Sequence, residues 1–129
     1  MRTEVLMLDD DERYLELLKI MFEGDDMHIV VSSQGHELSR LVELHRPHVV
    51  VMDILMHEHN GIELAQQYRA MPNAHNVPII FMSAWTGSGE IRLPRNSSRI
   101  FKPFTYPELI QMINRSLSGS ATTVGSLES

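Results

Sequence analysis

Cysteine is absent from the 129 residues. Its absence excludes disulfides, zinc–thiolate sites and thiol catalysis, and it fits a reducing compartment. Positive charge is scarce. Eleven Lys and Arg stand against 17 Asp and Glu, for a formal net charge of −6. With no basic excess to neutralise phosphates, direct nucleic-acid binding by this domain is not expected. Long apolar runs are missing too. None approaches the roughly 18 residues of a membrane span, so no membrane association is expected. The N-terminus, one Arg and then a strand-like run ending in acids, does not read as a signal peptide. A cytoplasmic protein is the expectation. What remains is 43% hydrophobic and 22% charged, enough to bury the core of one ordinary domain.

The apolar residues come in two alternating patterns. Val5-Leu6-Met7-Leu8, Val49-Val50-Val51-Met52 and Ile79-Ile80-Phe81-Met82 are short continuous runs, as central parallel strands covered on both faces require. Ile29-Val30-Val31 and Ile100-Phe101 are shorter, as edge strands are. Between them lie helical stripes: Tyr14, Leu15, Leu18, Met21 and Phe22; then Leu38, Leu41, Val42 and His45; then Ile62, Leu64, Ala65 and Tyr68; and finally Tyr106, Leu109, Ile110, Ile113 and Leu117. The last opens with Thr105-Tyr106-Pro107-Glu108, a capping box with Pro in the first turn. Strands alternating with helices predict right-handed crossovers and one parallel sheet. Between Thr86 and Ser98 a fourth helix is due, but Gly87, Gly89 and Pro94 oppose it. A short, irregular or mobile helix is the most that this stretch predicts. Residues 119–129, small and polar, read as a flexible tail or linker after a folded unit over 1–118.

In an open parallel sheet the functional crevice lies at the carboxyl ends of the strands. Those ends carry Asp9-Asp10-Asp11, Asp53, Ser83-Ala84 and Lys102-Pro103. Strand order 2-1-3-4-5 would gather them. Two carboxylates about 5 Å apart repel by roughly 3 kcal/mol at an effective dielectric near 20. A hard divalent cation relieves that conflict, and Mg2+ suits it, because it takes few carboxylates, keeps several waters and leaves room for substrate phosphate. Beside such a cation and Lys102, an Asp53 oxygen becomes a nucleophile for an incoming phosphoryl group. The metal and lysine stabilise charge on the transferring oxygens, and Ser83 donates to the phosphoryl once it arrives.

The segments "VLMLDDD", "MDILMHEHNG", "IIFMSA" and "FKPF", in that order, resemble the receiver domain of two-component response regulators; "SSQGHEL" adds Gly35 and Glu37. The resemblance spans about residues 3–118. It implies a flavodoxin-like doubly wound (βα)5 three-layer sandwich and a phosphoacceptor signalling switch rather than a turnover enzyme. By that likeness Asp53 takes the phosphoryl group from a phosphohistidine on a sensor histidine kinase or phosphotransfer protein. Asp10 binds Mg2+ directly, Asp9 assists through water, and the Leu55 backbone carbonyl is a further ligand. Ser83 and Lys102 contact the phosphoryl oxygens. Pro103 supports Lys102 through a cis peptide, and Asp11 starts a helix. An effector domain after the linker and a homodimer are the outputs that the likeness leaves open.

Three departures from the family pattern stand out. His57 replaces the usual Pro, Arg99 stands where an aromatic switch residue is usual, and the interval from Ser83 to Lys102 is short. Trp85 would screen the phosphoryl group from water. His57-x-His59 reads as exposed loop, and Arg92, Arg95 and Arg99 as a solvated face. The residues alone also admit a haloacid-dehalogenase-like phosphatase built on Asp9-x-Asp11, a flavodoxin-like nucleotide module, and a phosphorylation-independent docking module.

Overall fold

A computed structural model describes residues 2–24, 26–84 and 91–119. The strands are β1 (Thr3–Leu8), β2 (Met27–Ser32), β3 (Val49–Asp53), β4 (Leu55–Met56), β5 (His59–Asn60), β6 (Ile79–Ser83) and β7 (Ser97–Phe101). The helices are α1 (Glu12–Phe22), α2 (Leu38–His45), α3 (Gly61–Arg69) and α4 (Tyr106–Ser118), with a 3-10 turn at Gly35–Glu37. The main sheet is parallel throughout, in the order β2-β1-β3-β6-β7. Once the two-residue strands β4 and β5 are set aside, this is the expected 2-1-3-4-5.

The alternating faces of the strands make two cores, one on each side of the sheet. Leu6, Leu8, Val50, Met52, Ile79 and Phe81 pack with Leu38, Leu41 and Val42 of α2 and Ile62, Ala65 and Tyr68 of α3. Val5, Met7, Val49, Val51, Ile80 and Met82 face Leu15, Leu18 and Phe22 of α1 and Leu109 and Ile113 of α4. Full burial of each such side chain contributes roughly 1.5–3 kcal/mol.

Not every member of a stripe is inside. Met21, Tyr106 and Leu117 are 42%, 46% and 43% exposed, and His45 lies on the surface. These residues flank their helices' buried faces, with Tyr106 stacked on Phe22 at 4.8 Å.

The helix starts follow local chemistry. Asp11 accepts the Arg13 and Tyr14 N–H groups of α1. Asn60 does the same for Ile62 and Glu63 of α3, and Thr105 with Glu108 closes the capping box of α4. Residues 91–96 contain no helix, and β7 begins at Ser97, three residues ahead of the expected Ile100. Pairing with β6 buries Ser97 and Ser98 in spite of their polarity. No helix among the described residues is long and apolar enough to cross a membrane.

Candidate functional site

Four strand ends converge. After Leu8 the chain leaves β1 and turns. Asp9 is driven inward, with its side chain 2% exposed, and its Oδ1 accepts the Asp11 N–H at 3.0 Å. Asp10 turns the other way, towards the loop after β3, where its Oδ2 accepts the His57 backbone N–H at 2.8 Å. Asp53 is the last residue of β3; its Oδ1 accepts the Leu55 N–H at 3.4 Å. Ligand oxygens of Asp9, Asp10 and Asp53 all lie within 4.8 Å of one another. Lys102, just past β7, sets its Nζ 3.0 Å from Asp9 Oδ2 and 3.3 Å from Asp53 Oδ2. Its backbone N–H donates to the Ser83 carbonyl at 2.8 Å, which locks the ends of β6 and β7 together. The Lys102–Pro103 peptide is cis.

The loop carrying Leu55 is a short antiparallel ribbon, β4 with β5. It closes tightly because Gly61 donates its N–H to the Ile54 carbonyl at 2.7 Å. Leu55 is thus held beside Asp53 by its own N–H, with its side chain exposed.

The electrostatics reflect crowding. Burial is the largest influence on Asp9 and lifts its carboxyl above the ordinary carboxylate value, although the Asp11 N–H and Lys102 pull it down. Burial pushes Asp10 upward as well, but the His57 N–H, the Asp9 side chain and the His57 ring outweigh it and hold Asp10 low. Burial alone would depress Lys102. The hydrogen bond to Asp9 and the Asp53 charge raise it instead. Asp9 and Asp53 thus face one ammonium, with Asp10 beside them, in a cluster of hard oxygen donors. That donor set fits Mg2+, with Asp9, Asp10 and Asp53 as the residues that could hold it.

Three contacts went unforeseen in the sequence. The Tyr14 ring caps Lys102, its centroid 4.5 Å from Nζ. The His57 ring, in place of the usual Pro, brings Nε2 to 3.2 Å from Asp10 Oδ2. Arg99 is not on a solvated face with Arg92 and Arg95: its Nη2 donates to Ser83 Oγ at 3.3 Å. A buried serine at the neighbouring strand end was the available clue. His59 stacks on His36 at 5.3 Å. Trp85 lies outside the described residues.

The phosphatase arrangement is not assembled. Asp11 spends its Oδ1 on the N–H groups that open α1, at 3.1 and 3.2 Å, and only Asp9 of that pair faces Lys102. A nucleotide module needs free backbone N–H groups in its first loop, and here the Asp11 N–H is taken by Asp9.

Known proteins of the same shape place the chain. The model of the response regulator receiver domain matches residues 5–114. DNA-binding response regulator MtrA of Mycolicibacterium paratuberculosis is 30% identical over 120 residues, which cover 91% of this chain and 52% of that protein. The chain therefore spans about half the length of such curated relatives. The receiver domain of the Francisella response regulator 1452 is 27% identical with a TM-score of 0.74, covering 92% of this chain and 99% of that one. The receiver domain of sensor histidine kinase PA1611 from Pseudomonas aeruginosa, solved with a magnesium ion in its active-site cleft, shares the fold. It is 22% identical with a TM-score of 0.74, covering 92% of this chain and 99% of that chain. The order of the strands, the convergence of their ends and the match across nearly the whole described chain lead to one conclusion: this chain belongs to the response regulator receiver domain family.

Proposed function

We propose that this receiver is a phosphoacceptor switch whose own Asp53 is the substrate. The observation that carries the reading is the position of the Asp53 carboxylate, at a strand end, 3.3 Å from the Lys102 ammonium and beside two further carboxylates. An Asp53 oxygen attacks the phosphorus of a phosphohistidine on a sensor kinase or phosphotransfer protein. The new O–P bond forms as the P–N bond breaks, and its electron pair returns to the donor imidazole. Asp9, Asp10 and Asp53, with the Leu55 carbonyl, would hold Mg2+, which when bound would supply neutralising charge to the phosphoryl oxygens.

Lys102 moves from Asp53 to the phosphoryl oxygens as the carboxylate becomes an acyl phosphate. It keeps Asp9 as a partner, so its charge is never left bare. Ser83 Oγ offers its proton to a phosphoryl oxygen. The domain assists its own phosphorylation and dephosphorylation and does not turn over metabolites. Phosphorylation then biases two conformations around Ser83 and the segment to Lys102 and changes contacts with a partner or effector.

The test is incubation with an acyl phosphate, with Mg2+ or with chelator, followed by intact mass. One added phosphoryl group that requires Mg2+ supports the reading. No transfer, or turnover of a generic phosphate ester, counts against it.

A further inference from the structure

Lys102 has an aromatic partner as well as two carboxylates. Its Nζ sits 4.5 Å from the centre of the Tyr14 ring, 3.0 Å from Asp9 Oδ2 and 3.3 Å from Asp53 Oδ2. Local chemistry fixes where that ring stands. Asp11 Oδ1 accepts the Tyr14 N–H at 3.2 Å as α1 opens, and Tyr14 packs against the core that α1 and α4 share with the sheet. The ring is thus carried on the first turn of a capped helix, and the ammonium it covers comes from the loop after β7.

The proposed chemistry treats the three partners of Lys102 differently. Asp9 and Asp53 are candidate Mg2+ ligands, and Asp53 also gives up its carboxylate charge to the acyl phosphate. A divalent cation on the same oxygens weakens their hold on the ammonium, because two cations then share one set of anions. The face of the ring attracts a cation through its quadrupole, and a hard ion that prefers oxygen does not compete for it. Burial, the largest influence on the Tyr14 phenol, lifts it above its ordinary value despite the opposing Lys102 charge, so Lys102 meets a neutral aromatic. Lysine has a flexible four-carbon stem, and an ammonium loosened from its anions leaves a site readily unless another contact holds it.

We propose that Tyr14 is a positioning residue for phosphoryl transfer: its ring keeps the Lys102 ammonium in the site while Mg2+ and the phosphoryl group take over the carboxylates. The inference rests on the phosphoacceptor reading. It gives α1 a part in the chemistry, exerted through Lys102 alone.

The test compares the wild type with Tyr14→Phe, which keeps the ring, and Tyr14→Leu, which keeps apolar bulk without it. Intact mass follows phosphorylation by an acyl phosphate at saturating Mg2+, and calorimetry reads Mg2+ affinity without the donor. NMR of 13C-lysine protein follows the Lys102 ε-methylene, which a ring face shifts upfield; Lys19 is the chain's other lysine. Expected in Tyr14→Leu are phosphorylation about tenfold slower, Mg2+ affinity no weaker than in the wild type, and loss of the upfield shift. Tyr14→Phe stays within about twofold of the wild-type rate and keeps the shift. Equal rates in the wild type and Tyr14→Leu overturn the proposal, as does a Tyr14→Phe as slow as Tyr14→Leu. A fall in Mg2+ affinity that matches the fall in rate overturns it too, because the loss would then lie in the metal site. So does a wild-type Lys102 resonance with no upfield shift in the Mg2+-bound beryllofluoride adduct, a measurement that needs no variant. Failure of the wild type to accept a phosphoryl group overturns the phosphoacceptor reading itself, and this inference with it.

Discussion

Gly61 has no room for a side chain. A Cβ built there would stand 2.1 Å from the Asp53 carbonyl oxygen and 3.2 Å from Ile54 Cα, and both are backbone. Gly61→Ala must therefore push α3 away from the strand that carries Asp53. The expected loss is about 2–3 kcal/mol of stability, the size of an overpacked core, together with weaker Mg2+ binding. Urea unfolding with and without Mg2+ measures both effects. Gly24→Ala is the control, because nothing lies within 4 Å of its added Cβ. Lys102 has a pH signature. Its partners raise the ammonium above the ordinary value of 10.5, so the folded state holds that proton more tightly than the unfolded chain does. The stability it contributes is complete below 10.5 and is lost as pH rises through the higher folded value. Unfolding free energies across the alkaline range should show this decline in the wild type and lack it in Lys102→Met.

At the scale of elements, Arg69 takes the place of a helix in fastening the stretch before β7. Arg69 is 9% exposed, and its guanidinium donates to the carbonyls of Arg95, His75, Val77 and Asn96. Those carbonyls belong to the segments that enter β6 and β7. Arg69→Met takes the guanidinium donor from the buried Val77 carbonyl and from part-buried ones, although Asn96 keeps the Ile79 N–H, and should cost about 2–3 kcal/mol, measured as a lower urea midpoint. The same stretch marks the limit of what the sequence discloses. β1, β3 and β6 were legible because continuous apolar runs bounded by turns fit few other structures. The start of β7 was not, because Ser97-Ser98-Arg99 carries no apolar signal and is buried by its pairing with β6. The ribbon of β4 and β5 has two residues per strand, too few for any periodicity to appear. The convergence of Asp9, Asp10, Asp53, Ser83 and Lys102 was legible because a parallel sheet delivers its strand ends to one edge. Asp10 with His57 are 47 positions apart and Arg99 with Ser83 are 16 apart. Only the fold's register brings such pairs together.

For the whole molecule, folding stability and ligand binding are one account. The fold crowds three carboxylates together, two of them on the Lys102 ammonium, and Asp9 is held there against its own desolvation. On the proposed reading Mg2+ would bind that arrangement and not the unfolded chain. At ten times its dissociation constant it should add about 1.4 kcal/mol, or roughly 4 °C in thermal midpoint. Calorimetry over a Mg2+ series measures this, and Asp10→Ala should abolish most of the gain. On the proposed reading the same crowding would make Asp53 reactive towards a phosphoryl donor, so that binding and transfer would share one geometry. The most direct test locates the phosphoryl group itself. The protein is treated with acyl phosphate and Mg2+, reduced with borohydride and mapped by peptide mass. The account predicts a single modified residue, Asp53, and no modification in Asp53→Asn. A phosphoryl group on another residue of the wild type, or one that survives in Asp53→Asn, would contradict it.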